Sequence, residues 1–204
     1  HLYTECEELA GAQSEMHNEI AQALVGAIKE ARPDLQIFQE RSAGSIWPDI
    51  ATYDEAMAGF VPDAVGIDER GKTVVVIEFA RSMTDETDGM EARAWAKLNH
   101  YHGLEVYLRR RHKQPEWTVR TDTYIMNVLA RVHMDWWRGQ LEKLGLTQVK
   151  ARGAIKTSMR ACIMAAHRLH NVRRSREEGL RCRHRVSPGG PEGTAEGPPR
   201  SGIR

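Results

Sequence analysis

Two carboxylates facing each other across a turn carry the first chemical signal. In VPDAVGIDERGKTVVVIEF, Asp63 lies in the first of two Val/Ile-rich segments and Glu78 in the second, with the turn-forming DERGK between them. A turn centred between Arg70 and Gly71 pairs residues whose numbers sum to 141, which sets Asp63 directly opposite Glu78 on one face. Opposed residues of an antiparallel pair hold their Cβ atoms about 4.5–5.5 Å apart. Two carboxylates that close repel unless a cation lies between them. One or two carboxylates, with water and phosphate completing the shell, suit Mg²⁺. The bland alternative is a surface hairpin in another register, its acids facing water. Asp49, in the dipeptide Pro48–Asp49, competes with Asp63 for the role of first acid.

A second signal lies in HLYTEC, where four residues separate His1 from Cys6, the spacing of the closing half of a zinc knuckle. A structural zinc site needs four ligands, and no cysteine pair precedes these two. The alternative is an ordinary His and Cys.

These residues have to be positioned by a fold. Met16, Ile20, Leu24 and Ile28 recur every four residues and predict a helix from Ser14 to about Ala31, with Ser14 as N-cap and Pro33 forcing the stop. Leu35–Glu40 reads as a short strand, and the stretch from Gly44 to Gly59 as loop. The hairpin follows, then a helix in MEARAWAKLNHY, a short strand in GLEVYLR, and a strand in TYIMNVLARV. A helix around Trp136–Leu144 and a long one from about Ala151 to Arg174 complete the order. This succession implies an α/β fold with a mixed sheet. From Ser175 onward the chain turns to Arg, Gly, Pro and Glu, a composition expected of a largely disordered basic tail.

Composition narrows the function classes. With 41% hydrophobic and 28% charged residues, the chain suits a globular domain, and no apolar run approaches the roughly 20 residues of a membrane span. Three scattered cysteines make no disulfide framework. The net charge of +1 hides an asymmetry: residues 1–100 hold 8 Lys+Arg against 19 Asp+Glu, residues 101–204 hold 21 against 9. An acidic half joined to a basic half fits an acid-rich metal site beside a polyanion-binding surface, or two faces that merely solubilise the domain. Arg109, Arg110, Arg111 and Lys113 form one basic cluster, and Arg168, Arg173, Arg174, Arg176, Arg181, Arg183 and Arg185 a second. Trp136 and Trp137 suit stacking on unpaired bases, with at least one expected in the core.

The PD dipeptide, fourteen intervening residues and an acid ending an apolar strand resemble the PD-(D/E)XK nuclease superfamily. Many members carry a lysine two positions after the second acid; here that position is Ala80. Lys97, followed by Tyr101 and Leu104, instead resembles the helix-borne lysine motif of one branch, the restriction-like endonuclease domain of site-specific non-LTR retrotransposon proteins. MHNEIAQAL resembles the first-helix motif of that branch, with His17 and Asn18 matching and Met16 in the place of an arginine. HLYTEC stands where the family has a CCHC zinc knuckle, and SMRACIMAAHRLHNVRR resembles its terminal helix. The likeness spans about residues 1–175.

The resemblance implies a PD-(D/E)XK core of order α-β-β-β-α-β with C-terminal helices. It divides the chain into a knuckle remnant at 1–13, an endonuclease-like domain at 14–174 and the tail at 175–204. It also implies a metal-dependent endonuclease, part of a larger nuclear protein, that nicks target DNA so that a reverse transcriptase can copy the element RNA from the 3′-hydroxyl. Asp63, Glu78 and Lys97 would be catalytic. The two acids would hold Mg²⁺ or Mn²⁺, with Glu19 on the first helix as a further acid, and His1 and Cys6 would be half of a Zn²⁺ site. His17, Asn18, Tyr101 and the Arg109–Lys113 cluster would meet nucleic acid, although core packing is the stronger expectation for Tyr101. The alternative is a decayed, nuclease-like module that still binds nucleic acid, favoured by Ala80 and Met16.

Overall fold

A computed structural model describes residues 10–82, 87–113, 115–127 and 129–185. Helix α1 (Ala10–Ala31) is followed by strand β1 (Gln36–Gln39) and three single-turn helices, α2 (Ala43–Ile46), α3 (Ile50–Tyr53) and α4 (Glu55–Ala58). The hairpin β2 (Ala64–Asp68) and β3 (Thr73–Ser82) comes next, then α5 (Thr87–Arg111), β4 (Thr118–Asn127), α6 (Met134–Lys143) and α7 (Gln148–Arg185). The four strands form one sheet in the order β1-β2-β3-β4, antiparallel except for the parallel pair β3–β4. The fold is therefore α/β with a mixed sheet, as the element order implied. Among the described residues no helix is long and apolar enough to cross a membrane.

The two faces of the sheet follow from strand alternation. Val74 and Val76 of β3, with Val65 and Ile67 of β2, pack against Tyr101, Leu104 and Leu108 of α5 and against Trp47 and Ile50 of the short helices. On the opposite face Phe79 meets Trp137 of α6 and His17 of α1 edge-on or tilted, at ring-centroid distances of 6.4 and 5.3 Å. Ile20, Leu24 and Ile28 of α1 are fully buried, as their period predicted. Each such side chain contributes about 1.5–3 kcal/mol by leaving water. Gly66 is required where it stands: a Cβ there would lie 2.9 Å from Val75 Cγ1 and 3.2 Å from Leu35 Cδ2.

Several expectations are corrected. GLEVYLR is not a strand; it continues α5 to Arg111, because Tyr101, Leu104 and Leu108 repeat at helical spacing and are buried, whereas both neighbours of Leu104 are at least partly exposed. The expected loop at 44–59 holds α2, α3 and α4, started at Ser42 and Asp54 by side-chain caps on Ser45 N and Met57 N. Ser14 lies inside α1 rather than capping it, and residues 10–13 belong to that helix. Helix α7 runs past Arg174 to Arg185, so the first part of the expected tail is helical. The described segment 168–185 belongs to a unit of its own, and all seven arginines of the second basic cluster lie on its helix. His1, Cys6 and the tail beyond Arg185 fall outside the described residues.

Candidate functional site

The hairpin register is the one the turn implied: Ala64 pairs with Ile77 and Val65 with Val76, sums of 141. The main-chain ladder stops there, and the two acids take over from it. Asp63 N–H donates to Glu78 Oε1 at 3.2 Å, while Phe79 N–H donates to Asp63 Oδ2 at 2.7 Å. Each carboxylate thus satisfies a backbone donor of the other strand, at the point where β2 and β3 separate.

Two helices reach the pair from opposite faces of the sheet. From α5, Lys97 Nζ donates to Glu78 Oε2 at 2.7 Å. Lys97 stands one turn before Tyr101 on the stripe that covers the sheet, and this spacing aims its side chain at the next even-numbered residue of β3 beyond Val76. From α1, His17 Nε2 donates to Asp63 Oδ1 at 3.0 Å. An ionised carboxylate only accepts, so this contact puts a proton on Nε2. Tyr101 is buried, edge-on to Phe60, with its hydroxyl 3.5 Å from Val61 O and close to Glu78. Burial and the Glu78 charge push its ionisation well above the ordinary tyrosine value, so it stays a neutral donor.

Glu78 is 1% exposed. Its removal from water and the adjacent Asp63 charge raise its pKa, and the Lys97 ammonium offsets this only in part. The sign for stability follows. A carboxyl whose folded pKa lies above its unfolded value favours the fold fully below the unfolded value, and that contribution is lost as pH rises through the folded one. At neutral pH without metal, ionised Glu78 therefore weighs against folding. Glu78→Gln is expected to raise the melting temperature of the metal-free protein at pH 7–8 by a few degrees, about 2–4 °C per kcal/mol for a chain of this size. The gain should vanish near pH 4, and a thermal melt across this range reads it. A variant no more stable than wild type at pH 7–8 would mean that Lys97 fully compensates the buried charge.

The donor set fits a hard divalent cation. Each of the four carboxylate oxygens accepts a bond from the main chain, His17 or Lys97, Glu78 takes a further one from the Tyr101 hydroxyl, and lone-pair capacity remains. Two carboxylates are enough for Mg²⁺, which keeps several waters or phosphate oxygens in its shell. Among the described residues no group of three or more His, Cys, Asp and Glu side chains is placed to hold a metal. A cation here would draw its protein ligands from Asp63 and Glu78.

The other predicted residues divide. Asn18 is exposed on α1, beside His17. Arg109 is bound to Glu105, Arg111 to Asp49, and Arg110 donates to Tyr53 Oη at 3.2 Å. Lys113 follows the end of α5 with a left-handed φ of 52°. Asp49 accepts from Tyr107 Oη at 2.8 Å as well as from Arg111, which holds its pKa below the usual carboxylate value. Of the two candidate first acids, Asp63 meets Glu78 while Asp49 meets Tyr107 and Arg111. The contact that sequence reasoning missed is His17 on Asp63. Its sole signal was the HN pair of the first helix, which says nothing of a partner 46 residues away.

Compared with known proteins, the chain matches no family model and no curated sequence.

Proposed function

We propose that this domain is a metal-dependent endonuclease of the PD-(D/E)XK type, with its lysine supplied by the helix, and that it nicks DNA to leave a 3′-hydroxyl. The observation that carries the proposal is the meeting of Asp63, Glu78 and Lys97 in one cluster, from strands and a helix in the order α-β-β-β-α-β. The lysine absent at Ala80 is functionally replaced: Lys97 reaches the second acid from α5. This contact favours a working nuclease over a decayed binding module, although Met16 departs from the first-helix pattern.

Bound Mg²⁺ supplies Lewis-acid polarisation of the phosphate and a lowered pKa for water. Asp63 and Glu78 supply its anionic oxygens, and His17 and the Phe79 N–H fix the Asp63 carboxylate so that it does not reorient during the reaction. Lys97 spends one of its three N–H donors on Glu78 and has two for a phosphate oxygen or the attacking water. Those donors act where charge develops as the water oxygen bonds to phosphorus and the bond from phosphorus to O3′ breaks. The attacking water gives up a proton to solvent and the leaving O3′ takes one from it, so the cut leaves a 5′-phosphate and a 3′-hydroxyl. Cations of the basic half hold the DNA backbone without reading its sequence. In the retrotransposon branch that the sequence resembles, the hydroxyl primes copying of the element RNA in the nucleus.

The test is the chemistry of the ends. Plasmid treated with the protein and Mg²⁺ should gain nicks that a DNA polymerase extends directly, and a chelator should prevent them. Asp49→Ala should nick as wild type does, because that carboxylate is engaged by Tyr107 and Arg111 instead. Nicks that a polymerase cannot extend, or activity lost with Asp49, would refute the proposal.

A further inference from the structure

Beside the acidic pair lies a cavity of about 270 Å³ that the proposed hydrolysis does not use. Ala94 of α5 and Ile125 of β4 line it, Trp95, Trp136 and Trp137 are its indoles, and Glu91 and His133 are its polar groups. Ile125 pairs with Ala80 and packs with it and Ala94, so one wall of the cavity lies beside the β3 residue whose backbone is about 7 Å along the strand from that of Glu78.

Two of its aromatic side chains are open to solvent. Trp95 is 62% and Trp136 36% exposed, unusual for the largest apolar side chain, whereas the neighbouring Trp137 is fully buried. Trp136 is not loose: its Nε1–H donates to Thr123 O at 2.8 Å, as Trp137 Nε1–H does to Ile125 O at 3.0 Å. The two indoles cap successive carbonyls on the open edge of β4, which fixes the Trp136 ring before any ligand arrives. His133 Nδ1 accepts from Trp136 N at 3.2 Å, so a neutral His133 carries its proton on Nε2. The cavity therefore offers aromatic surface, one N–H donor and, in Glu91, one anionic acceptor.

We infer that this cavity receives a single unpaired nucleobase, adjacent to the phosphate held at Asp63 and Glu78. That adjacency rests on the nuclease proposal; the base-binding chemistry does not. The volume falls just under the roughly 300 Å³ at which pockets for drug-sized ligands begin, and a partner helix about 10–12 Å across would not enter it. A base presents a π-face to the indoles and both donors and acceptors on its pairing edge for Glu91 and His133. Glu91 repels phosphate, so the base and not the backbone occupies the cavity. A duplex must open to deliver it, and the preferred substrate is DNA with an unpaired base at the nick.

The experiment measures binding in chelator, where no strand is cut, by fluorescence anisotropy of a labelled short oligothymidylate and of an abasic strand with the same number of phosphates. The intact strand should bind about tenfold more tightly, and Trp95→Ala should remove the difference while Trp95→Phe retains most of it. Trp95 is exposed, so its truncation leaves the fold in place. Equal binding of the two strands by wild type, or a difference that survives Trp95→Ala, overturns the inference. Plasmid nicking is scored separately. No base preference in the wild-type protein, with its nicking intact, removes the pocket and spares the nuclease. A base preference without any nicking supports the pocket and removes the nuclease.

Discussion

Asp63→Ala should reduce Mg²⁺-dependent nicking by about 10³-fold or more while leaving DNA affinity nearly unchanged. The size follows from what the carboxylate does. It supplies half of the anionic oxygens of the pair, and losing several kcal/mol of transition-state charge stabilisation costs tenfold for each 1.36 kcal/mol. The affinity persists because cations elsewhere hold the backbone. Asp63 also accepts from Phe79 N and His17, so truncation leaves a backbone donor unsatisfied. Asp63→Asn separates the two effects: its amide oxygen still accepts from Phe79 N–H, yet it brings no charge to the cation. Single-turnover nicking and anisotropy on the same preparations check this. Nicking by Asp63→Asn at the wild-type rate would move the metal away from this carboxylate.

Lys97→Ala should be the second largest loss, about 10²–10³-fold in the single-turnover rate, the range for removing one donor aimed at developing charge. A second signature separates a catalytic lysine from a merely structural one. Lys97 partly offsets the burial of Glu78, so its loss pushes the Glu78 carboxyl further up. The proton then competes with metal at Glu78 up to a higher pH, and the acidic limb of the pH–rate profile should move upward in Lys97→Ala. Lys97→Arg should restore that limb without fully restoring the rate, because the guanidinium keeps the charge and changes the geometry. A profile that does not move would deny the contact between Nζ and Glu78 a role in setting the charge of the site.

The site was legible in the sequence to the extent that it depends on local pairing. DERGK between two Val/Ile runs specifies a turn, the turn specifies the register, and the register puts Asp63 opposite Glu78. Parity along β3 likewise puts Glu78 on the face of Val74 and Val76, against α5. What local pattern does not encode is which side chains meet across the fold. His17 finds Asp63, and Arg111 finds Asp49, at separations of 46 and 62 residues; both depend on where α1 and the short helices dock. The misread strand at GLEVYLR has a physical reason as well. Val, Tyr and Leu there suit either period, and burial of Tyr101, Leu104 and Leu108 against the sheet decides for the helix. The basic cluster was legible as charge and illegible as availability, since Arg109 and Arg111 turn out to be bound to Glu105 and Asp49.

One gel tests whether the cluster of Asp63, Glu78 and Lys97 cuts DNA. Supercoiled plasmid is incubated with the wild-type chain, Asp63→Asn and Lys97→Ala, each with Mg²⁺ and with chelator. Open circles should form with wild type in Mg²⁺ alone, and both variants should leave the plasmid supercoiled over the same interval. Equal open-circle formation by all three proteins, or none by wild type while it binds the plasmid, would show that the two acids and the lysine are not a nuclease centre in this protein.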